Sequence, residues 1–422
     1  MLRFILKGIF RDRSRYFFPV IIMSAGVFLM VFFLAFMDGY SESMIRQNAR
    51  FETGHLKIVT KAYSELLAQK PYDLGLLDIE ADLEDWKEHF PQFEFVQRIT
   101  FGAILDKSDS LGNSLRQGQV LGFALDLLED DFEIKNLRLA ESMVQGRLPA
   151  ARGEILVSDR TFQAMQISLG DSLMLLGSTA EGSMSFALVK IVGTVSFGYE
   201  ALDRGGIIMD LSDAQSFLDM PGGCSEILGF MKDGNYDSEL VNTIKEDFNA
   251  RYSTEDEFSP VMLALTDQNN MGYMLWIMDF TFMMMSLVFI IILGIVLWNS
   301  GLMSGIRRYG EFGLRLAIGE EKKHIYSFLI LESLCIGTIA SLLGLLLGFL
   351  VSYPLSIWGL DMSQYGKTSS LVFENVIRTK LSPGIFISGF LTGLLSSVLG
   401  TALAGSVIFK RQTSQLFKEL EQ

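Results

Sequence analysis

The stretch that decides the fold is Leu275–Trp298, which reads LWIMDFTFMMMSLVFIIILGIVLW. It contains a single charged side chain, Asp279. A helix needs about 20 mostly apolar residues to cross the roughly 30 Å of hydrocarbon in a bilayer. This stretch therefore predicts a membrane-spanning helix.

Three other stretches have the same character, covering residues 17–37, 326–353 and 384–409, with Glu332 as their only charge. The long segment between the first two stretches mixes β-rich and helical patterns. We therefore predict an integral membrane α-helical protein with four transmembrane helices and a large α+β extracytoplasmic (periplasmic) domain inserted between helices 1 and 2.

The first stretch follows five basic residues, as in a signal peptide, but it is longer than the apolar part of a signal peptide and no small-residue cleavage site follows. We predict an uncleaved anchor.

Lys and Arg in the short segments predict the orientation, because such residues accumulate on the cytoplasmic side. The first 16 residues carry five, the segment 299–325 carries five and the segment 410–422 carries three. These segments are predicted to be cytoplasmic, with both termini inside. Residues 38–274 and 354–382 are then outside.

The predicted organisation follows from these boundaries and from the first residues, where Leu2, Ile5 and Ile9 alternate with basic side chains at the spacing of an amphipathic helix on a membrane surface. In chain order it is a cytoplasmic amphipathic helix (1–16), TM1 (17–37), a periplasmic domain (38–274), TM2 (275–298), a cytoplasmic linker (299–325), TM3 (326–353), a short periplasmic loop (354–382), TM4 (384–409) and a cytoplasmic tail (410–422).

The segment 38–274 has 19 Lys and Arg against 39 Asp and Glu, which gives it a net charge of −20. Nucleic acid is therefore not expected as a partner. A helical continuation over Ser41–Phe51 is predicted to lead into a strand that starts at Gly54–Val59. Further strands are predicted at Phe93–Leu105, Gln119–Leu125, Glu154–Val157, Ser172–Leu176, Phe186–Val195 and Gly206–Met209, and helices at Leu76–His89, Arg160–Met165 and Ser238–Phe248.

The linker reads GIRRYGEFGLRLAIGEEKKHI over residues 305–325, which predicts a short charged helix with Gly313 and Gly319 as breaks. Its charge alone indicates only topology. Its pattern resembles the cytoplasmic motif of the MacB and FtsX-like permease family of ABC transporters, in which this helix contacts a separate ATPase. The resemblance implies a coupling helix whose ATPase-coupling residues are Arg307, Arg308, Glu311, Gly313, Arg315, Ala317 and Gly319.

A second resemblance to this family lies in the outer segment, in Gly146–Pro149, Glu154–Ser158, Leu169–Asp171 and Val192–Thr194. Met37–Tyr40 and Gly54–Ile58 are most similar to the lipoprotein-releasing permeases LolC and LolE. LolC carries a long hook hairpin that recruits a soluble carrier, and Gly177–Ser185 is too short for it. The resemblance is therefore more LolE-like and leaves open whether a periplasmic carrier docks.

The resemblance implies a function by mechanotransmission (type VII) in a bacterial cytoplasmic (inner) membrane. The chain would be a permease subunit that couples ATP hydrolysis in a partner to lipoprotein extraction from the outer leaflet. The implied partners are two copies of an ABC ATPase subunit, a second permease chain that is identical or related, a lipoprotein substrate and membrane lipid. Two alternatives stay open: an FtsX-like signal transmitter that activates a cell-wall hydrolase, and a MacB-like peptide or drug exporter subunit.

Two groups of apolar or small residues are candidates for binding and packing. Flexible thioethers and large rings accommodate irregular apolar ligands, which suggests a substrate cavity lined by Met30, Phe33, Phe36, Met37, Met278, Phe282 and Met285. Such residues also serve as ordinary packing or lipid-facing groups. Small residues at four-residue spacing let helices approach closely, and here they are Gly344, Gly348, Gly389 and Gly393.

No catalytic or metal centre is predicted. The three histidines are far apart in sequence, the two cysteines are Cys224 and Cys335, and Gly366–Thr368 lacks the first glycine of a phosphate-binding loop. The chain is therefore expected to be non-catalytic and to bind no cofactor. ATP and Mg would be bound by the partner ATPase.

Overall fold

The computed structural model describes residues 13–108, 113–198, 200–307, 309–361 and 376–410. The chain divides into two compact units. The helical unit comprises residues 13–43, Trp276–Asp361 and 376–410, and the α+β unit comprises Met44–Leu275.

Long helices form the helical unit, and a short helix lies between two of them in the chain. They are α1 (Arg13–Asn48), α10 (Met271–Arg307), α11 (Tyr309–Ala317), α12 (Lys322–Trp358) and α13 (Pro383–Lys410). Four of the helices are long and apolar enough to cross a membrane, with candidate spans at Phe17–Thr53, Met271–Asn299, Lys322–Trp358 and Pro383–Ser406. The helices extend beyond the apolar stretches of the sequence, and the boundary between the two units falls inside α1 and inside α10.

Small residues allow α1, α12 and α13 to pack closely. A Cβ atom on Gly344 would lie 2.7 Å from the carbonyl oxygen of Ser24, and one on Gly348 would lie 2.7 Å from Cγ1 of Val31. The Ser24 hydroxyl donates a hydrogen bond to the carbonyl of Ala340 at 3.0 Å. Close backbone approach and hydrogen bonds between helices are the interactions expected to hold helices together in lipid.

The segment before α13 returns across α1. The backbone N–H of Lys380 donates to the carbonyl of Ala35 at 2.9 Å, and its ammonium pairs with Glu42 at 3.0 Å. Gly39 leaves room for the carbonyl of Arg378, which a side chain at this position would displace. Two short strands, β11 (Leu360–Asp361) and β12 (Val376–Ile377), pair just before this segment.

The α+β unit is built on ten strands with short helices between them. The strands are β1 (Leu56–Thr60), β2 (Phe93–Ser108), β3 (Ser114–Leu125), β4 (Met143–Gly146), β5 (Glu154–Ser158), β6 (Ser172–Ser178), β7 (Met184–Val195), β8 (Gly206–Asp210), β9 (Glu226–Met231) and β10 (Pro260–Ala264). The helices are α2 (Lys61–Glu65), α3 (Glu80–His89), α4 (Phe132–Asn136), α5 (Leu139–Ser142), α6 (Asp159–Ala164), α7 (Glu200–Gly205), α8 (Leu211–Leu218) and α9 (Ser238–Tyr252), after a π-helical turn at Ala49–Thr53.

The sheet runs in the order β10-β1-β9-β2-β3-β8-β5-β7-β4, and β6 pairs with both β2 and β7. The strands β2, β3, β8, β5, β7 and β6 therefore close into a ring. All pairings are antiparallel except β3 with β8 and β5 with β7. Closure leaves these strands without free edges between them.

Successive side chains of the ring strands point alternately to the inside and to the outside of the ring. Ile99, Phe101 and Leu105 of β2 belong to the main buried core, whereas Phe123 and Leu125 of β3 belong to a second core with Phe51 and Leu202. Because successive side chains of a strand point to opposite faces, these are the two faces of the closed sheet. Thr100 and Gly102 alternate with Ile99 and Phe101 and therefore share the outer face.

Candidate coupling site

A sharp turn separates the short helix α11 from α12. Gly319 follows the end of α11 with φ +93°. The N–H of Glu320 donates to the carbonyl of Arg315 at 3.0 Å, and the N–H of Gly319 donates to the carbonyl of Leu316 at 3.1 Å. This pair of hydrogen bonds is the Schellman motif, which requires a left-handed residue and favours glycine. Gly319 therefore ends α11.

Arg315 attaches α11 to the start of α12. Its guanidinium carbon lies 5.2 Å from the centre of the Phe328 ring, and its Nε lies 3.9 Å from Glu320. The same carboxylate lies 3.8 Å from Nε2 of His324. A cation–π contact with a flanking carboxylate fixes the guanidinium. Arg315 thereby links α11 to the first turns of α12.

α11 and the turn that follows it expose large apolar side chains. Leu314 is 67% exposed and Ile318 is 78% exposed. They are four residues apart, and the N–H of Ile318 bonds to the carbonyl of Leu314 at 3.1 Å, so that they lie on one side of the helix. An exposed apolar pair on a short helix suits insertion into a groove. Sequence reasoning missed both residues because it considered the charged residues, the glycines and Ala317 of the linker and not its large apolar side chains.

The remaining predicted coupling residues are distributed along the same segment. Glu311 is exposed in the first turn of α11, and Ala317 is its last residue and exposed. Arg307 ends α10, and Arg308 lies outside the described residues. The prediction of a break at Gly313 is wrong, because α11 continues through it. Glycine inside a helix costs only about 1 kcal/mol relative to alanine and does not by itself end it.

The predicted cavity residues lie in α1 and α10. Met278, Phe282 and Met285 are half-buried, whereas Ile277, Phe280 and Met283 are exposed. The half-buried positions recur every three or four residues and lead to the buried Leu293 and Leu297, so they lie on the covered face of α10. In α1, Phe33, Phe36 and Met37 are also half-buried, whereas Met30 is fully buried.

The predicted packing glycines all lie against other helices of the same unit. Gly344 and Gly348 face α1, Gly389 faces Val31 of α1, and Gly393 faces Ser341 of α12 and Val27 of α1. α10 joins this packing at Leu293, whose side chain occupies the space beside Gly26. The described contacts of these glycines are therefore within the chain.

Two separated motifs of the outer segment meet in the α+β unit. The guanidinium of Arg147 makes two hydrogen bonds to Glu154, and the N–H of Ala150 donates to the same carboxylate at 3.0 Å. These bonds lower the pKa of Glu154 to about 2. Gly146, with φ +89°, lies against the carbonyl of Val192 and pairs with Gly193. These motif residues therefore form one cluster.

The family comparison concerns the helical unit. Residues 283–413 match the family model described as FtsX-like permease C-terminal. These residues form an FtsX-like permease domain. The FtsX-like permease domain contains most of α10, all of α11 and α12, and α13. The turn at Gly319 and the contact between Arg315 and Phe328 are thus features of this domain.

Several solved structures are similar to this chain over about half of its length. One is the extracellular domain of the noncanonic ABC-type transporter YknZ from Gram-positive bacteria, with 10% identity and a TM-score of 0.33 over 49% of this chain and 98% of that chain. Another is the periplasmic region of MacB from Actinobacillus actinomycetemcomitans, with 12% identity and a TM-score of 0.34 over 52% of this chain and 94% of that chain. No curated protein matches the chain at a significant level.

Proposed function

We propose that this chain is the permease subunit of an ABC-type transporter and that it couples ATP hydrolysis in a separate ATPase to movement of its α+β unit. The observation that carries the proposal is the FtsX-like permease domain at residues 283–413, which includes the exposed pair Leu314 and Ile318. In this proposal α11 is the coupling helix. ATP and Mg are bound by the partner, and this chain is non-catalytic.

The proposed orientation puts α11 and both chain termini in the cytoplasm and the α+β unit in the periplasm. It is supported by the positive charge of the short segments, with five Lys and Arg in residues 299–325. The membrane is the bacterial inner membrane. On this orientation α11 is on the side where ATP is available.

The proposed mechanism starts at the partner ATPase. Two ATPase subunits that close on ATP would push α11 of each of two permease chains, identical or related. Arg315 would pass this displacement to α12 through Phe328, which lies 5.2 Å away. α10, which ends just before α11, and α1 would carry it toward the α+β unit, because each helix includes residues of both units.

The proposed cargo is a lipoprotein taken from the outer leaflet. Support comes from the half-buried Phe33, Phe36 and Met37 of α1 and from Met278, Phe282 and Met285 of α10, whose side chains adapt to acyl chains. In this scheme the cargo leaves the bilayer without crossing it. Whether a periplasmic carrier receives the cargo is a separate question for experiment.

Purification of the tagged full-length chain from its own host in a mild detergent tests the proposal. Mass spectrometry of the complex should identify an ABC ATPase, and an acylated lipoprotein should be bound when ATP is withheld. A stably bound cell-wall hydrolase without acylated cargo would favour the signal transmitter. A bound peptide or drug would favour the exporter. Isolation of the chain without an ATPase would contradict the permease assignment itself.

A further inference from the structure

A cavity lies in the α+β unit, away from the coupling helix. It has a volume of about 410 Å³, within the roughly 300–1,000 Å³ typical of small-molecule sites. Its lining residues come from the π-helical turn, a loop after α2, the strands β2 and β3, and α7. They are Phe51, Glu52, Ala68, Gln69, Lys70, Pro71, Tyr72, Thr100, Phe101, Gly102, Leu121, Phe123 and Leu202.

The apolar walls of the cavity are held in place by their own neighbours. The ring of Phe51 packs edge-to-face on Phe197 with centroids 5.5 Å apart. The ring of Phe123 lies 5.1 Å from the guanidinium carbon of the buried Arg98. Tyr72 is fixed through its hydroxyl, which lies 2.8 Å from Oγ of Ser178. The cavity is therefore bounded by ordered side chains, as a pre-formed site requires.

The floor of the cavity is open at Gly102. A Cβ atom on this residue would have no other atom within 4 Å. Gly122 of the paired strand differs, because the ring of Phe101 fills the space where its side chain would be. The space above Gly102 is thus available to a ligand.

A buried hydroxyl in the cavity has no partner. Thr100 is only 2% exposed, and its Oγ1 makes no hydrogen bond to the described residues. Burial of a polar group without a partner is unfavourable, so a ligand oxygen that accepts this hydrogen bond would be favoured. Loss of the hydroxyl should remove that bond without removing any contact within the chain.

The charged groups of the lining differ in their availability. Glu52 accepts a hydrogen bond from the side-chain amide of Asn269 at 2.7 Å. Lys70 is half-buried and has no ion-pair partner within 4.0 Å among the residues that the structure describes, and its charge acts on the buried Glu226 at longer range. An ammonium at an apolar cavity favours an anionic or strongly dipolar oxygen group on the ligand.

We propose that this cavity binds a single acyl chain with an oxygen-bearing head group, which accepts hydrogen bonds from Thr100 and Lys70. The lining is mostly apolar and offers few polar groups, which suits a chain whose only polar group is its head. A peptide would bring an N–H and a carbonyl for every residue, and these would lack partners here. The inference concerns the α+β unit alone and does not rest on the proposed function.

Photo-crosslinking of the full-length chain in lipid nanodiscs tests this assignment. The probes are palmitic acid with a terminal diazirine and the methyl ester of the same acid. Peptides from residues 51–72 and 100–123 should be labelled. In Gly102→Leu, which fills the floor, this labelling should fall by about tenfold, while labelling of the long helices stays constant as an internal control. Ile104→Phe is the matched control, because it lies on the same face of β2 outside the cavity and should change nothing.

The two probes also distinguish the source of the chain. Labelling by the acid alone, reduced several-fold in Lys70→Gln, would indicate a free fatty acid. Equal labelling by acid and ester would indicate an esterified chain, as in a lipid or an acylated protein. Thr100→Val should weaken both while leaving the melting temperature unchanged or higher. Absence of labelling at these peptides, or labelling that Gly102→Leu does not reduce, would overturn the proposal.

Discussion

The α+β unit and the helical unit are stabilised in different ways. In the α+β unit, Arg98 and Glu133 are almost fully buried and joined by hydrogen bonds of 2.6 and 2.9 Å, and Lys57 pairs with Glu226 at 2.5 Å. In the helical unit, α1 and α12 meet through contacts of glycine and serine with neighbouring backbones, as at Gly344 and Ser24. The first unit depends on paired charge and the second on close approach, so different substitutions should damage each.

Loss of the buried guanidinium should give the largest effect. Arg98→Met leaves the carboxylate of Glu133 buried and unpaired, and breaking a buried pair in this way costs roughly 3–5 kcal/mol. The chain has four tryptophans, and Trp86 is the one in the α+β unit. Trp86 becomes the single tryptophan when Trp276, Trp298 and Trp358 are changed to Phe. Its fluorescence should show that Arg98→Met unfolds this unit at a lower denaturant concentration than the parent chain does.

Arg251→Met in the same background is the control, because its pair with Asp247 is exposed and should contribute less than about 1 kcal/mol. Equal effects would contradict the comparison.

Overpacking of a helix contact should give an intermediate effect. A methyl group on Gly344 meets the carbonyl oxygen of Ser24 at 2.7 Å, so Gly344→Ala should cost roughly 1–3 kcal/mol. Gly294→Ala is the matched change in α10, where the added methyl meets nothing within 4 Å. Melting temperatures in detergent should fall for the first variant and stay constant or rise for the second. Equal melting temperatures for the two variants would contradict the interpretation that close approach of the helices stabilises this unit.

The smallest effect should be a pH-dependent one at Glu154. The pKa of this carboxyl is about 2 in the folded chain because Arg147 binds it, compared with an ordinary value of 4.5. A lowered folded pKa gives stability that is present above the ordinary value and is lost as pH falls from about 4.5 to 2. The melting temperature of Arg147→Gln should lie below that of the native chain at neutral pH, and the two melting temperatures should converge in acid. Lys135→Gln, which removes an exposed pair with Asp131, should show no such convergence.

Much of the secondary structure follows from the local sequence. Alternation and turn residues predict strands at the positions of β2, β3, β5, β6, β7 and β8. The helix predicted over Ser238–Phe248 is α9. The sequence did not reveal β9, in which all six residues are buried, so that no alternation is visible and Glu226 resembles a surface residue. The helix predicted from Leu76 begins only at Glu80, because Leu76 exchanges backbone hydrogen bonds with Cys224. That contact spans most of the domain sequence and has no local signal.

The sequence predicts the position of the candidate coupling site but not the side chains that form its exposed surface. Gly319 could be foreseen as a helix end because glycine favours the left-handed cap. The contact of Arg315 with Phe328 and the exposure of Leu314 and Ile318 depend on how α11 lies beside α12. Likewise, Arg98 and Glu133 are 35 residues apart, and neither segment has a local sequence pattern that predicts their pairing.

The most direct test of coupling at α11 is the ATPase bound to the purified chain. Leu314→Glu and Ile318→Glu place charge on the exposed apolar pair without disturbing a buried contact. Leu77→Glu is the matched control, because Leu77 is 61% exposed in the α+β unit. We expect both α11 variants to insert normally into the membrane but to lose the bound ATPase and its ATP hydrolysis. Leu77→Glu should retain both. Retention of a fully active ATPase by both α11 variants would contradict the assignment of α11 as the coupling helix.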